Sequence, residues 1–267
     1  MKSIAEMLSL RGRVALVTGG AGHIGSAICD TLAELGASIA TLDHHAGKCT
    51  ATAHRIADSF GVKTLALPVD LADEPGVRAV PDQVVAQLGS LDILVHCAAL
   101  VGTTNLQGWA VPFAQQSADT WRQALEINLT SAFVLTQAAA PALTASGHGS
   151  VIHIGSIYGV VAPDLSLYDG TTIGNPAAYG ASKGGLLQFT RWLATNLAPH
   201  VRVNMITPGG VERGQDEAFR ARYLRRTPLA RMATEEDFKG AAAYLASDLS
   251  AYVTGQNIIV DGGWTTW

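Results

Sequence analysis

The chain has 267 residues, 22 acidic against 18 basic side chains and a formal charge of −4 with histidine neutral. That balance argues against a general nucleic-acid binder, which needs a net basic surface to displace counterions from phosphates. With 48% apolar and only 15% charged residues, the composition is that of a globular chain with a substantial core rather than a disordered one.

No continuous apolar stretch followed by a small-residue cleavage site opens the sequence, and the longest apolar run, 93–101, is interrupted by His96. A soluble, cytoplasmic protein with no membrane partner is expected. Cys29, Cys49 and Cys97 are odd in number and lack Cys-x-x-Cys pairing, so they are read as free thiols, with neither a disulfide framework nor a metal site. Short Val/Ile/Leu-rich runs recur at 14–17, 38–42, 64–69, 93–97, 151–154, 201–206 and 257–260, as strands covered on both faces should. Helical spacing fills 24–35, 77–88, 121–140, 177–197 and 235–246. That alternation predicts a single-domain α/β fold over 1–267: a Rossmann-type, doubly wound parallel sheet of about seven strands with helices on both faces. The stretch 160–175 keeps no period and reads as an inserted loop over the substrate end, rich in hydroxyl, carboxylate and amide groups; a second substrate-side segment spans 209–231.

After the first strand run, Thr18-Gly19-Gly20-Ala21-Gly22-His23-Ile24-Gly25 leads straight into a helix pattern. Glycines there permit a tight turn and close approach of backbone N–H groups to a pyrophosphate, and the helix N-terminus favours negative charge. A ligand-free turn is the competing reading of the glycines alone. Asp43, after the second strand run, is placed to accept from the adenosine ribose hydroxyls and would repel a 2′-phosphate, which favours NAD over NADP. Asp70, after the third, is read either as an adenine contact or as a helix N-cap.

Tyr179 and Lys183 stand four apart at the start of a helix pattern, so their side chains share a face. Ser156 follows the strand run 151–154, at the strand end where open α/β sheets bind ligands. For ketone and alcohol chemistry the tyrosine exchanges a proton with the substrate oxygen, the lysine ammonium favours the phenolate, and the serine hydroxyl holds the carbonyl.

These residues in this order resemble the short-chain dehydrogenase/reductase family along essentially the whole chain. The likeness is carried by the 18–25 turn, Asp70, Asn128 in Ile127-Asn128-Leu129, Ser156, Tyr179-Gly180-Ala181-Ser182-Lys183, Pro208-Gly209, and the closing text from Tyr252 to Gln256 and Asp261 to Gly263. The resemblance implies a catalytic tetrad of Asn128, Ser156, Tyr179 and Lys183, with Asn128 holding a water that connects Lys183 to solvent. It implies cofactor contacts from Gly19, Gly22, His23, Ile24 and Gly25, from Asp43, and from Asp70 and Leu71. Further contacts fall to Cys97, Ala98 and Ala99, to Tyr179 and Lys183, and to Pro208, Gly209 and Val211. It also implies a homotetramer, and the largely apolar helix patterns 121–140 and 177–197 agree with burial against a second subunit.

Three departures stand out. The turn has the glycine spacing of the longer, nucleotide-sugar-modifying branch. His96-Cys97-Ala98-Ala99 replaces the usual Asn-Asn-Ala-Gly, and Ser156 and Tyr179 are further apart than usual, the surplus being the 160–175 loop. Tyr168 is excluded as the catalytic tyrosine because Thr172, not lysine, lies four residues on.

The expected activity is NAD(P)-dependent hydride transfer to or from a small polar, sugar-derived substrate, phosphorylated or nucleotide-linked in one reading. Ser156, Tyr158, Tyr168, Asn175, Tyr179 and Arg213 would meet it. Arg213, Arg220, Arg222, Arg225, Arg226 and Arg231 form a basic cluster that suits an anionic substrate or a solvated helix face and subunit contact. A narrower likeness to flagellin-modification and surface-sugar oxidoreductases rests on Arg213-Gly214-Gln215 and the text from Arg226 to Phe238. The alternatives are a 3-oxoacyl thioester reductase, an epimerase or dehydratase that retains its NAD, and a non-catalytic nucleotide sensor.

Overall fold

Strand β1 (Val14–Thr18) shows how the sheet is built: Val14 and Leu16 enter one apolar cluster and Ala15 and Val17 another, so both faces of the strand are covered. The computed structural model describes residues 1–102, 104–171 and 173–267; position 172, inside the expected loop, lies outside the described residues. A short helix α1 (Ile4–Leu8) precedes β1, and then elements alternate: α2 (His23–Glu34), β2 (Ser38–Asp43), α3 (Ala46–Phe60), β3 (Thr64–Pro68), α4 (Glu74–Leu88) and β4 (Ile93–His96). The second half runs α5 (Ala118–Leu125), α6 (Ser131–Ala145), β5 (Gly149–Ile154), α7 (Ala177–Asn196), β6 (Val201–Pro208), α8 (Glu217–Arg226), α9 (Lys239–Ala246) and β7 (Asn257–Val260). The seven strands pair in parallel in the order β3-β2-β1-β4-β5-β6-β7, the doubly wound arrangement expected.

The order reverses between β1 and β4, which opens the crevice where such sheets take ligands. Side chains of α4, α6 and α7 pack on one sheet face and those of α2 and α9 on the other. Among the described residues, no helix is long and apolar enough to cross a membrane.

Three expectations need correction. The helix predicted over 121–140 is α5 and α6 joined through a π-helical turn, Glu126–Thr130, and 235–246 begins as a 3-10 turn, Glu235–Phe238, before α9. Helices α1 and α3 were not anticipated; α3 buries only Cys49, Ala53 and Ile56, too few apolar positions to stand out in its sequence. The 160–175 loop is anchored rather than open, and it holds a 3-10 turn, Leu165–Tyr168. Leu167 packs with Phe219, Tyr223, Met232 and Trp264, so the flap has the apolar underside that its polar composition hid. Asp164 pairs with Arg226, while Arg222 donates to the carbonyls of Leu167 at 3.1 Å and Asp169 at 2.6 Å.

Candidate active site

The C-terminal ends of β1, β2, β4, β5 and β6 border one cavity of about 830 Å³ that runs from the glycine-rich turn to the 160–175 flap. At its nucleotide end, Gly22 is the N-cap of α2 and makes no side-chain cap, so the first N–H groups of that helix are left for an incoming anion. Gly25 has no room for a side chain: a Cβ there would meet the Gly19 carbonyl oxygen at 2.1 Å, which is how helix and turn approach so closely. The Thr18 hydroxyl accepts from the N–H groups of Cys97 (3.1 Å) and Ala98 (3.2 Å), joining the ends of β1 and β4 through backbone groups that the altered side chains of the His96-to-Ala99 segment leave in place.

Asp43 is buried at the end of β2 and accepts through Oδ1 from the His45 N–H at 3.1 Å, leaving Oδ2 without a bond among the described residues. Asp70 lines the cavity and accepts from the Ala72 N–H at 2.9 Å. It is not the helix cap that one reading made it; Asp73 holds that position on α4. An uncapped helix start and a carboxylate with a free oxygen fit a dinucleotide, the pyrophosphate at α2 and the adenosine ribose at Asp43.

At the other end, β5 delivers Ser156 through Gly155, and the first turns of α7 deliver Tyr179 and Lys183 on one face. Gly159 lets the 3-10 turn Ile157–Gly159 sit directly on α7, because a Cβ there would meet the Lys183 carbonyl carbon at 2.7 Å. Lys183 is only 3% exposed; its Nζ donates to the Ile154 carbonyl at 2.7 Å and lies 5.9 Å from the centre of the Tyr179 ring. Burial lowers the ammonium to about 8. Burial also raises the Tyr179 phenol, and the Ser156 hydroxyl facing it acts in the opposite direction. The phenol therefore keeps its proton at neutral pH, as a general acid must.

Over most of the chain the relatives agree. The family model described as enoyl-(acyl carrier protein) reductase matches residues 19–265. Sorbose reductase sou1 of Schizosaccharomyces pombe is 32% identical over 98% of this chain and 99% of its own. The 3-oxoacyl-[acyl-carrier-protein] reductase FabG of Escherichia coli is also 32% identical, over 96% and 98%. Among solved structures, a gluconate 5-dehydrogenase from Burkholderia cenocepacia J2315, in complex with NADP and tartrate, superposes with a TM-score of 0.86 at 31% identity, covering 99% of this chain and 100% of that one. A short-chain dehydrogenase from Leptospira borgpetersenii was solved with bound NAD+; it has a TM-score of 0.82 at 28% identity and covers 99% and 96%.

The chain belongs to the short-chain dehydrogenase/reductase family. It is therefore an NAD(P)-dependent oxidoreductase.

Within this short-chain dehydrogenase/reductase, the expected cofactor residues from Gly19 to Val211 all line the cavity, as do Ser156, Tyr158, Tyr168, Asn175, Tyr179 and Arg213. Asn128 does not. It lies in the π-helical turn, 3% exposed, where both amide hydrogens are spent on the Leu100 carbonyl (3.1 Å) and the Ser182 hydroxyl (3.1 Å), and its oxygen accepts from the Leu100 N–H at 2.7 Å. The side chain has no donor left for a water; it ties the segment after β4 to α7.

The arginine cluster is mostly paired within the chain: Arg220 with Glu212, Arg226 with Asp164, Arg231 with Asp237. Only Arg213 of the six lines the cavity, held to Glu235 at 2.6 Å. Sequence reading missed Phe219, Tyr223, Met232 and Gln215, which close the substrate end. The four-residue spacing of Phe219 and Tyr223 on α8 was the available signal. Among the described residues, no group of three His, Cys, Asp or Glu side chains could hold a metal ion.

Proposed function

We propose that this enzyme interconverts a ketone and a secondary alcohol on a small polyol-like molecule, with NAD(H) as cofactor and the whole chain acting as one catalytic domain. The observation that carries the reading is the protonated Tyr179 phenol in the cavity, with Ser156 beside it and Lys183 over its ring. In the reducing direction Tyr179 Oη gives its proton to the carbonyl oxygen, and the Ser156 hydroxyl donates to that same oxygen as charge develops on it. The Lys183 ammonium opposes the negative charge left on the phenol, and in the oxidising direction the same groups take the proton back. A bound nicotinamide ring supplies or accepts the hydride.

Asp43 favours NAD, since a carboxylate at the ribose repels a 2′-phosphate, although relatives are described with either nucleotide. Polyol chemistry is supported by the sorbose reductase and gluconate 5-dehydrogenase relatives and by the hydroxyl-bearing side chains at the substrate end. The FabG relatives support a second reading, reduction of a 3-oxoacyl thioester. A homotetramer is proposed from the exposed aromatics of α6 and α7.

A panel of L-sorbose, 5-ketogluconate and acetoacetyl thioester, each with NADH and NADPH, separates the two readings. Tyr179→Phe is expected to lower turnover by about 10²- to 10⁴-fold while NADH binding, followed by fluorescence, is unchanged. Retained turnover in that variant overturns the mechanism.

A further inference from the structure

Neither proton transfer nor cofactor binding uses a hydrogen-bonded chain at the substrate end. Tyr158 Oη and Tyr168 Oη are 2.9 Å apart, and Asn175 Nδ2 donates to Tyr168 Oη at 3.2 Å. All three side chains line the cavity that holds Tyr179. Their positions are braced from behind: the Tyr158 ring meets Trp264 edge-on with centroids 6.2 Å apart, and the Tyr168 ring lies 5.3 Å from Phe219. Holding the phenols in place beforehand reduces the ordering cost of using them in binding.

Counting hydrogens shows what the chain has to offer. Two phenols carry two hydrogens, and one of these lies between the two oxygens. If Tyr168 donates to Tyr158, the Tyr158 hydrogen has no protein acceptor among the described residues; if Tyr158 donates, the Tyr168 hydrogen has none. Asn175 Oδ1 likewise has no donor among them. One O–H donor and one amide acceptor thus have no protein partner among the described residues in either arrangement, and both belong to side chains that line the cavity. Burial, followed by the neighbouring Tyr168 phenol, pushes the Tyr158 hydroxyl up, so it stays protonated. The arginine at this end is engaged with Glu235, which leaves neutral groups to meet the substrate.

We propose that Tyr158, Tyr168 and Asn175 form a hydroxyl-reading subsite, which selects neutral ketones and alcohols bearing a second hydroxyl next to the reacting carbon. A substrate hydroxyl accepts the spare phenolic hydrogen and donates to Asn175 Oδ1. A plain acyl chain leaves both unpaired, at the cost of unsatisfied polar groups. The inference rests on the ketone–alcohol activity proposed above and narrows its substrate class.

The test compares 2-hydroxycyclohexanone with cyclohexanone, a pair that differs by the one hydroxyl, using the nicotinamide nucleotide that wild type prefers. Wild type is expected to favour the hydroxyketone in kcat/KM by about tenfold, mainly through KM. Tyr158→Phe/Tyr168→Phe removes both phenolic hydrogens and brings the ratio to about one, the ratio of the two ketones within each variant being the readout, with NADH binding followed alongside by fluorescence. Each single variant keeps one spare hydrogen and part of the preference, and Asn175→Ala, which removes the amide acceptor together with its hydrogen bond to Tyr168 Oη, also lowers the preference. No preference in wild type, a preference that survives in the double variant, or equal loss on both ketones overturns the subsite alone. Failure of wild type to reduce either ketone or L-sorbose overturns the proposed function and the subsite together.

Discussion

Lys183 Nζ donates to the Ile154 carbonyl at 2.7 Å while lying 5.9 Å from the centre of the Tyr179 ring. The last residue of β5 therefore fixes where the ammonium stands, and α7 fixes which phenol it stands over. A charge buried this deeply costs stability.

That cost predicts an unusual pH dependence. Burial brings Lys183 from 10.5 to about 8, so between those values the unfolded chain holds a proton that the folded chain has released. Stability then rises with pH across that interval. Urea denaturation at pH 7.5 and pH 10 is expected to show wild type gaining on Lys183→Met by on the order of 2–3 kcal/mol, with the variant inactive throughout. Parallel pH profiles would refute the buried-charge account.

A second pH effect has the same physical origin at the other end of the scale. His96 and His153 face each other on β4 and β5, with ring centroids 5.1 Å apart. His153 Nδ1 lies 2.7 Å from the Thr190 hydroxyl, which itself donates to the Leu186 carbonyl, so Nδ1 carries the hydrogen and Nε2 is left bare. Burial lowers His96 to about 3 and His153 well below its usual 6.5. As pH falls below 6.5 the unfolded chain takes up protons that the folded chain refuses, and stability drops by about 1.4 kcal/mol per pH unit for each imidazole. His96→Asn/His153→Leu should flatten that decline between pH 6.5 and 4.5; an unchanged slope would place the acid sensitivity elsewhere.

Asp43 controls the choice of nucleotide in the proposed reading. Replacing it with serine removes the charge that opposes a 2′-phosphate while keeping an acceptor for the His45 N–H. The ratio of kcat/KM for NADPH to that for NADH is expected to rise by about tenfold or more. Steady-state kinetics with both nucleotides decide it, and an unmoved ratio means that Asp43 does not meet the ribose.

Phe133 on α6 and Trp192 on α7 are 44% and 54% exposed, and both lie against Phe189, at centroid distances of 6.1 and 6.3 Å. An aromatic patch on two adjacent helices suits burial by another subunit. Light scattering should find a tetramer for wild type and a smaller species for Trp192→Glu, with the far-UV spectrum retained. A wild-type monomer at micromolar concentration would contradict the assembly.

The features written in neighbouring residues were legible without coordinates. Apolar strand runs, turn glycines and a tyrosine one helical turn from a lysine depend on backbone sterics and helix periodicity, which act over a few positions. They sufficed for the sheet, the turn and the Ser156–Tyr179–Lys183 grouping. Partner choice among distant groups was settled only by folding. Asp164, read as part of a polar flap, spends its charge on Arg226, 62 positions away. Asn128 spends its amide on Leu100 and Ser182, and Leu167 turns the flap's apolar side onto α8. Hydrogen bonds and ion pairs act over a few ångströms of space whatever the separation along the chain, so the same residue types could have faced solvent or substrate until tertiary packing brought their partners within reach.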